Sequence, residues 1–168
     1  MIQIKAGQHM DNSQDTTSDF REMVDALLRS AFDSSDEADL VKRLRTDKDL
    51  AGEIILEAKA GLMGYAALSE MVAPEGWLCL APVAVEPAAQ GHGHGKKLLE
   101  LVLKWAEERD ATVVVLGNPD FYAKNGFSSD RAARLKGRYP VKYTLLAGPG
   151  EDVPEETLVY PAAFDGLD

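Results

Sequence analysis

A glycine-rich turn is the part of this sequence best suited to chemistry. Residues 90–97 read Gln-Gly-His-Gly-His-Gly-Lys-Lys, and an apolar helical pattern follows them. Glycine lets the backbone come close to a phosphate, and the first N–H groups of a helix have no acceptor within it. The helix dipole and the two lysines add positive charge at the same place. The segment therefore predicts an anion site, for which a pyrophosphate is a suitable ligand.

The spacing of the glycines shows which nucleotide-binding motif the turn fits. A P-loop requires Gly-x4-Gly-Lys-Ser/Thr, but Gln90 stands where its first glycine belongs and Lys97 replaces the hydroxyl residue. A Rossmann fingerprint requires Gly-x-Gly-x-x-Gly, and neither the pair Gly91 and Gly93 nor the pair Gly93 and Gly95 is followed by the third glycine. The pattern that fits is Gln-x-x-Gly-x-Gly. A nucleotide hydrolase is therefore disfavoured.

The histidines of the turn invite a metal interpretation, which the rest of the sequence disfavours. His92 and His94 are joined by one other histidine, His9, and by a single cysteine, Cys79. A zinc site normally takes four Cys, His or carboxylate ligands, so no metal is expected here. The single cysteine excludes an internal disulfide and is compatible with a reducing compartment.

A second motif strengthens the interpretation of the first. Residues 118–127 read Asn-Pro-Asp-Phe-Tyr-Ala-Lys-Asn-Gly-Phe, and the glycine turn follows an apolar strand that ends Val-Ala-Val at residues 83–85. Together these motifs resemble the GCN5-related N-acetyltransferase (GNAT) family. Residues 80–85, 115–119 and 160–164 are also similar to the YhbS-like branch of that family. The resemblance implies a GNAT-like acyl-CoA N-acyltransferase fold.

The resemblance also implies roles for individual residues. The strand over 83–85 would diverge from the one over 112–116, and its freed backbone groups would pair with the amides of pantetheine. The turn would hold the pyrophosphate, Asn118 would contact the pantetheine arm, and Tyr122 would lie near the thioester sulfur as the catalytic acid. The implied acetyl-CoA-binding residues are Val83, Ala84, Val85, Gln90, Gly91, His92, Gly93, His94, Gly95, Lys96, Asn118 and Tyr122.

The implied activity is transfer of an acetyl group from acetyl-CoA to a primary amine by direct attack on the thioester. The acceptor is a small amine, a peptide N-terminus or a lysine. Because alkyl amines have pKa values near 10, a proton must first be removed from the ammonium. No carboxylate lies within 77–85, so Glu57, Glu70, Glu86 and water all stay open as the base.

Two alternatives remain beside the catalytic interpretation. Tyr122 could be an aromatic residue that only packs the short helix onto the sheet. The chain could also be a non-catalytic module that binds or senses acyl-CoA. Arg131, Arg134 and Arg138 fall at helical spacing and either contact the 3′-phosphate of CoA or form a solvated helix face.

The hydrophobic periodicity indicates the elements that position these residues. Strands and helices are predicted in the order β, α, α, β, β, β, α, β, α, β, β. This order is not a strict βαβ alternation. It predicts an α/β (α+β) fold with a mixed, mostly antiparallel central sheet of six to seven strands and flanking helices. A loop is expected over 7–18, a helix beginning at Asp19, and final strands over 141–147 and 157–160.

Length and charge limit the remaining possibilities. The 168 residues fit a single domain, 1–168. The formal net charge of −10 argues against nucleic acid and anionic membranes as partners and favours a cationic acceptor. The first residues lack a basic segment followed by an apolar one, so a cytoplasmic protein is expected. A homodimer is compatible with these features.

Overall fold

The computed structural model describes residues 3–6, 14–59 and 61–166. Strands and helices follow in the order β1 (Gln3–Ala6), α1 (Gln14–Ala31), α2 (Asp36–Thr46), β2 (Leu50–Ala58), β3 (Gly61–Glu70), β4 (Leu78–Val85), α3 (His94–Glu108), β5 (Val113–Leu116), α4 (Pro119–Lys124) and β6 (Thr144–Ala147). Single 3₁₀ turns lie at Pro87–Ala89, Val141–Tyr143 and Ala162–Phe164. Among the helices of these segments, none has the length and apolar composition that a membrane crossing requires.

The described strands form one sheet of six, in the order β1-β2-β3-β4-β5-β6. All neighbours are antiparallel except β4 and β5, which run parallel. The parallel pair follows from chain connectivity, because α3 crosses over between these strands and returns the chain to the same end. The structure confirms the predicted α+β fold with a mixed, mostly antiparallel sheet of at least six strands.

Helices cover both faces of the sheet, and the alternation of the strands decides which side chain meets which helix. Ile54 and Leu56 of β2 pack with Leu98 and Trp105 of α3 on one face. Ile55, between them in sequence, packs on the opposite face with side chains of α1 and α2. Burial on both faces therefore fixes the register of the central strands.

Helix α1 begins five residues before its predicted start at Asp19, because Gln14 is its first residue. The predicted loop over 7–18 is thus wrong for 14–18, while 7–13 lie outside the described residues. A turn of helix with a polar sequence carries no apolar periodicity, so the pattern begins only at Phe20, which is buried.

The predicted seventh strand over 157–160 is wrong. In the described residues this segment makes isolated bridges, Thr157 with Lys136 and Val159 with Ala73, but no ladder. Its alternation is real, since Leu158 and Tyr160 are buried and Val159 is exposed. The buried side chains pack into a core cluster, so alternation here reflects packing rather than strand pairing. The strand predicted over 141–147 is shorter than expected. Its first three residues form a 3₁₀ turn, and only Thr144–Ala147 are a strand.

A buried ion pair holds α2 against the sheet. Arg45 of α2 donates to both carboxylate oxygens of Glu53 on β2, at 2.6 and 3.2 Å. The hydroxyl of Tyr65 on β3 donates to the same carboxylate at 2.6 Å. Burial and the Glu53 charge raise the pKa of Tyr65 well above its usual value, so it stays a donor. The last turn of α2, which holds Arg45, is therefore tied to the central strands.

We expect Tyr65→Phe to lower the free energy of unfolding by about 1.5 kcal/mol, the lower range for a hydrogen bond to a charged group. The ring would still fill its buried site, and Glu53 would keep its pair with Arg45. Urea unfolding with an unchanged m-value would measure the loss. Tyr143→Phe, at an exposed ring, is the matched control. Equal midpoints for wild type and Tyr65→Phe would contradict the role of the network.

Candidate active site

Strands β4 and β5 diverge along their length. They pair at Leu78–Val113, Cys79–Val114 and Leu80–Val115, and beyond Leu80 the pairing ends while β4 continues to Val85. The register of β3 against β4 shifts between Ala66 and Leu68, where β4 carries an extra residue. Such a bulge bends a strand and increases its twist, which separates it from a neighbour. A wedge-shaped gap therefore opens between β4 and β5.

Backbone groups of β4 face this gap. The Glu86 N–H donates to the Met63 carbonyl at 2.7 Å, next to the register pair Gly64–Val85. In an antiparallel ladder this makes Gly64–Val85 a non-hydrogen-bonded pair, so Ala84 exchanges its hydrogen bonds with β3. Val83 and Val85 then direct their N–H and C=O groups away from β3 and toward the gap. A ligand with amide groups could pair with them as an added strand would.

The gap widens into a cleft of about 810 Å³. Its walls come from the residue after α1, the start of α2, the diverging end of β4, the end of β5 and the start of α4. Side chains after β5 and near the C-terminus close its remaining side. The lining residues are Phe32, Asp36, Glu37, Leu40, Leu80, Ala81, Pro82, Val83, Leu116, Gly117, Asn118, Phe121, Tyr122, Tyr139 and Phe164.

The glycine turn leads from β4 into α3. Gly91 and Gly93 have φ values of 84° and 81°, the left-handed region that glycine adopts without strain. Gly93 caps α3, and Lys97 makes the first helical hydrogen bond, to the Gly93 carbonyl at 3.1 Å. The N–H groups of residues 94–96 thus have no acceptor within the helix. The side chain of Gln90 braces the turn by donating to the Val85 carbonyl at 3.0 Å.

The start of α3 lies against the start of α4. A Cβ atom built on Gly95 would lie 3.2 Å from Cζ of Phe121, so glycine lets the two helices approach closely. Phe121 also lines the cleft, so the glycine turn and the cleft are neighbours.

The two histidines of the turn do not form part of a metal site in the described part of the chain. The rings of His92 and His94 are 6.4 Å apart, and no group of three or more His, Cys, Asp or Glu side chains there could hold a metal ion.

Tyr122 is a buried residue that lines the cleft. Its ring packs edge-on against Phe121 and Phe127, with centroids 5.1 and 5.7 Å away. A Cβ on Gly117 would lie 2.6 Å from its Cε2, so glycine at that position gives the ring its place. Burial, with a smaller contribution from Cys79, raises the pKa of Tyr122 to about 12. The hydroxyl is therefore protonated at neutral pH and makes no hydrogen bond to the described residues.

Asn118 both caps α4 and faces the cleft. Its Oδ1 accepts from the Asp120 N–H at 3.0 Å, and Pro119 occupies the first helical position, where no N–H is needed. Within the described residues its Nδ2 group has no hydrogen-bond partner. One end of this amide is thus used for capping, and the other can donate to a bound molecule.

The acidic residues proposed as the base are not among the described residues that line the cleft. Glu57 lies opposite Gln3 of β1, two strands from β4. Glu70 is exposed at the end of β3, and Glu86 begins the 3₁₀ turn after β4. The carboxylates that line the cleft are Asp36 and Glu37, which the sequence motifs did not indicate.

The three arginines near residue 135 serve other segments. Arg131 donates to the carbonyls of Gly148, Pro149 and Asp152 and so holds that loop. Arg134 pairs with Glu155 and Arg138 with Asp165, and the segment forms turns instead of the predicted helix. The solvated helix face is therefore wrong, since the segment is not helical and the guanidinium groups pair with other segments. These pairings also disfavour a phosphate clamp.

Cys79 is fully buried beside the site. Burial raises the pKa of its thiol to about 12, so it stays neutral at physiological pH. A neutral buried thiol is a poor nucleophile. Cys79 is therefore not a candidate for a covalent intermediate.

Comparison with known proteins places this geometry in a family. The model of the acetyltransferase (GNAT) family matches residues 19–127. The uncharacterized N-acetyltransferase YhbS of Escherichia coli K12 is 36% identical over 122 residues, covering 70% of this chain and 73% of that protein.

Solved structures agree in fold over nearly the whole chain. The E. coli YhbS structure, a complex with CoA, has a TM-score of 0.81 and 27% identity and covers 99% of this chain and 93% of its own. A GNAT family acetyltransferase from Brucella melitensis, in complex with acetyl-CoA, has a TM-score of 0.74 and 28% identity, covering 98% and 99%. The resemblance inferred from the sequence is confirmed: the chain belongs to the acetyltransferase (GNAT) family.

Proposed function

We propose that this protein transfers the acetyl group of acetyl-CoA to a primary amine, on a small molecule, a peptide N-terminus or a lysine. The observation that carries the proposal is the gap between β4 and β5, which the backbone groups of Val83 and the N–H of Val85 face, with a helix N-terminus next to it. The Val85 carbonyl already accepts from Gln90. Family membership supports the reaction class, and the E. coli and Brucella relatives were solved with CoA and acetyl-CoA.

The residues of the chain fit this substrate in two places. The backbone of Val83 and Val85 would pair with the two amides of pantetheine, with Asn118 Nδ2 as a further donor. The N–H groups of residues 94–96 would bind the pyrophosphate, where the helix dipole and Lys96 favour negative charge. At Gly91 and Gly93 no other atom lies within 4 Å of the place where a Cβ would be, so the backbone there is open to a phosphate.

The reaction then requires orientation and proton transfer. The neutral amine nitrogen attacks the thioester carbonyl carbon, a C–N bond forms, and the C–S bond breaks when the tetrahedral intermediate collapses. The nitrogen loses its proton, and the thiolate takes one from the Tyr122 hydroxyl, which is then reprotonated. The products are an N-acetyl amide and CoA. The high pKa of Tyr122 keeps its hydroxyl protonated at neutral pH.

We expect CoA to bind and to stabilise the fold. At a concentration one hundred times Kd, linkage predicts a gain of about 2.7 kcal/mol in the free energy of unfolding. Isothermal calorimetry and thermal melts with CoA would measure both quantities. NAD, which has a pyrophosphate but no pantetheine, is the control and should bind much more weakly. Absence of heat with CoA at millimolar concentration would overturn the assignment.

Catalysis is tested separately from binding. Free thiol release from acetyl-CoA would be followed with a panel of small amines, lysine and peptides, with longer acyl-CoA thioesters alongside. Binding of CoA without thiol release from any amine would favour the alternative, an acyl-CoA-binding or sensing module.

A further inference from the structure

We propose that Glu37 binds the ammonium group of the acceptor and takes a proton from it, and that the acceptor is an alkyl ammonium with an apolar or aromatic body. This inference rests on the acetyl transfer proposed above. It assigns the base that the sequence left open to a residue in the first turn of α2.

Glu37 has an unused acceptor at the cleft. The side chain is half-buried and lines the cleft that Tyr122 also lines. Its Oε2 atom is shielded from solvent and has no hydrogen-bond partner among the described residues. A shielded carboxylate oxygen without a partner is costly unless a ligand supplies a donor. Rotation of the half-buried side chain toward the cleft would expose this oxygen, and a cation bound there would then supply the missing donor.

The nearby cations are already engaged with other groups. Arg29 and Lys42 pair with Asp25, and Arg45 pairs with Glu53. Arg43 donates to the backbone carbonyls of Ala163 and Asp165 instead. In the described structure, none of these basic groups forms an ion pair with Glu37, so its charge is available to a ligand.

The other groups of the cleft suit the same ligand. The titratable residues that share the cleft are Asp36, which is exposed and adds negative charge at the mouth, Tyr122 and Tyr139. Phe32, Tyr139 and Phe164 contribute rings, which attract cations and cover apolar carbon. No Lys or Arg is among the described lining residues. The cleft should accept ammonium compounds and reject carboxylates.

The proposed step balances without any further reactant. The ammonium gives one proton to Glu37, which becomes a neutral carboxylic acid while the amine gains its lone pair. That lone pair attacks the thioester carbon as described above, and the proton on Glu37 passes to solvent after product release. The overall reaction converts an ammonium and acetyl-CoA to an amide, CoA and one proton.

Binding tests the recognition part of the proposal. The CoA-saturated protein would be titrated with 2-phenylethylamine and with the neutral isostere 2-phenylethanol in a calorimeter. We expect Glu37→Gln to weaken the amine at least about tenfold, the worth of one charge-assisted hydrogen bond, and to leave the alcohol unchanged. Asp39→Asn removes a charge from the same helical turn outside the cleft and should change neither affinity. Glu37→Asp should recover part of the amine affinity.

Rates test the proton transfer. Without the base, only the neutral amine reacts, so kcat/KM of Glu37→Gln should rise about tenfold per pH unit below the amine pKa near 10. Wild type should rise less steeply and exceed the variant by about 100-fold near neutral pH. Equal affinities or parallel pH profiles for wild type and Glu37→Gln would overturn the proposal. CoA affinity of each variant is measured first, in a separate titration of the free protein. Loss of CoA binding there would point to a failure of the fold or of the proposed function instead.

Discussion

Tyr122→Phe is expected to lower kcat by roughly 10²–10⁴-fold while CoA affinity stays at the wild-type value. The substitution removes only the hydroxyl, and the edge-on contacts with Phe121 and Phe127 are kept. Burial holds the pKa of this hydroxyl at about 12, so it should donate a proton at every pH below about 10. No alkaline loss of rate in that range should come from Tyr122. Steady-state kinetics and calorimetry on the same preparation would separate kcat from binding.

A second tyrosine of the cleft makes the test specific. Tyr139 also lines the cleft and offers a hydroxyl, so Tyr139→Phe should be measured in parallel. If the large loss appeared in Tyr139→Phe instead, the proton donor would be Tyr139. If neither variant lost activity, Tyr122 would be a packing residue and water would protonate the thiolate.

Gly93→Val is expected to reduce CoA affinity by roughly 100-fold or more, equivalent to two charge-assisted hydrogen bonds of about 1.5 kcal/mol each. Gly93 caps α3 at a φ of 81°, which a β-branched residue adopts only with strain. Relief of that strain would turn the N–H groups of residues 94–96 away from a bound phosphate. The added side chain would also stand between the backbone and the ligand. Calorimetry with CoA would measure the loss.

Gly76→Val separates strain from binding. Gly76 has a φ of 84° and, like Gly93, open space where a Cβ would lie, but it belongs to the turn before β4. Both variants should lose a similar amount of stability, about 1–2 kcal/mol for a residue forced into the left-handed region. Only Gly93→Val should lose CoA affinity. Equal affinities in the two variants would show that the turn is not the phosphate site.

Much of the fold could be predicted because its signals are local. The apolar stripe of α3 appears in the sequence as a helical repeat after the glycine turn. The run of valines predicts a strand over 112–116, and β5 spans Val113–Leu116. The strand predicted over 157–160 is wrong for a physical reason. Alternating burial arises whenever an extended chain packs on a core, and the sequence does not report whether a neighbouring strand is close enough to form a ladder.

The site residues also fall into those that the sequence reveals and one that only the folded structure reveals. The glycine turn and the Asn118–Tyr122 segment are short motifs whose residues act near each other in the chain, so spacing reveals them. Glu37 lies more than forty residues before the part of the cleft that begins at Leu80, and only the packing of α2 against the sheet brings it there. An acidic residue in the first turn of a helix is also common for electrostatic reasons, which hides any second role. The ligand roles of Val83, Val85, Gln90 and Lys96 stay predictions.

The close approach of Gly95 to Phe121 also constrains how relatives of this protein can diverge. A Cβ at position 95 would lie 3.2 Å from Cζ of Phe121, so the ring would have to move by a few tenths of an ångström, or position 121 would have to carry a smaller side chain. Because Phe121 precedes Tyr122 directly, a change there would also alter the ring contact that orients the tyrosine. Positions 95 and 121 should therefore co-vary across the family. Relatives with alanine or serine in place of Gly95 should carry a smaller side chain in place of Phe121.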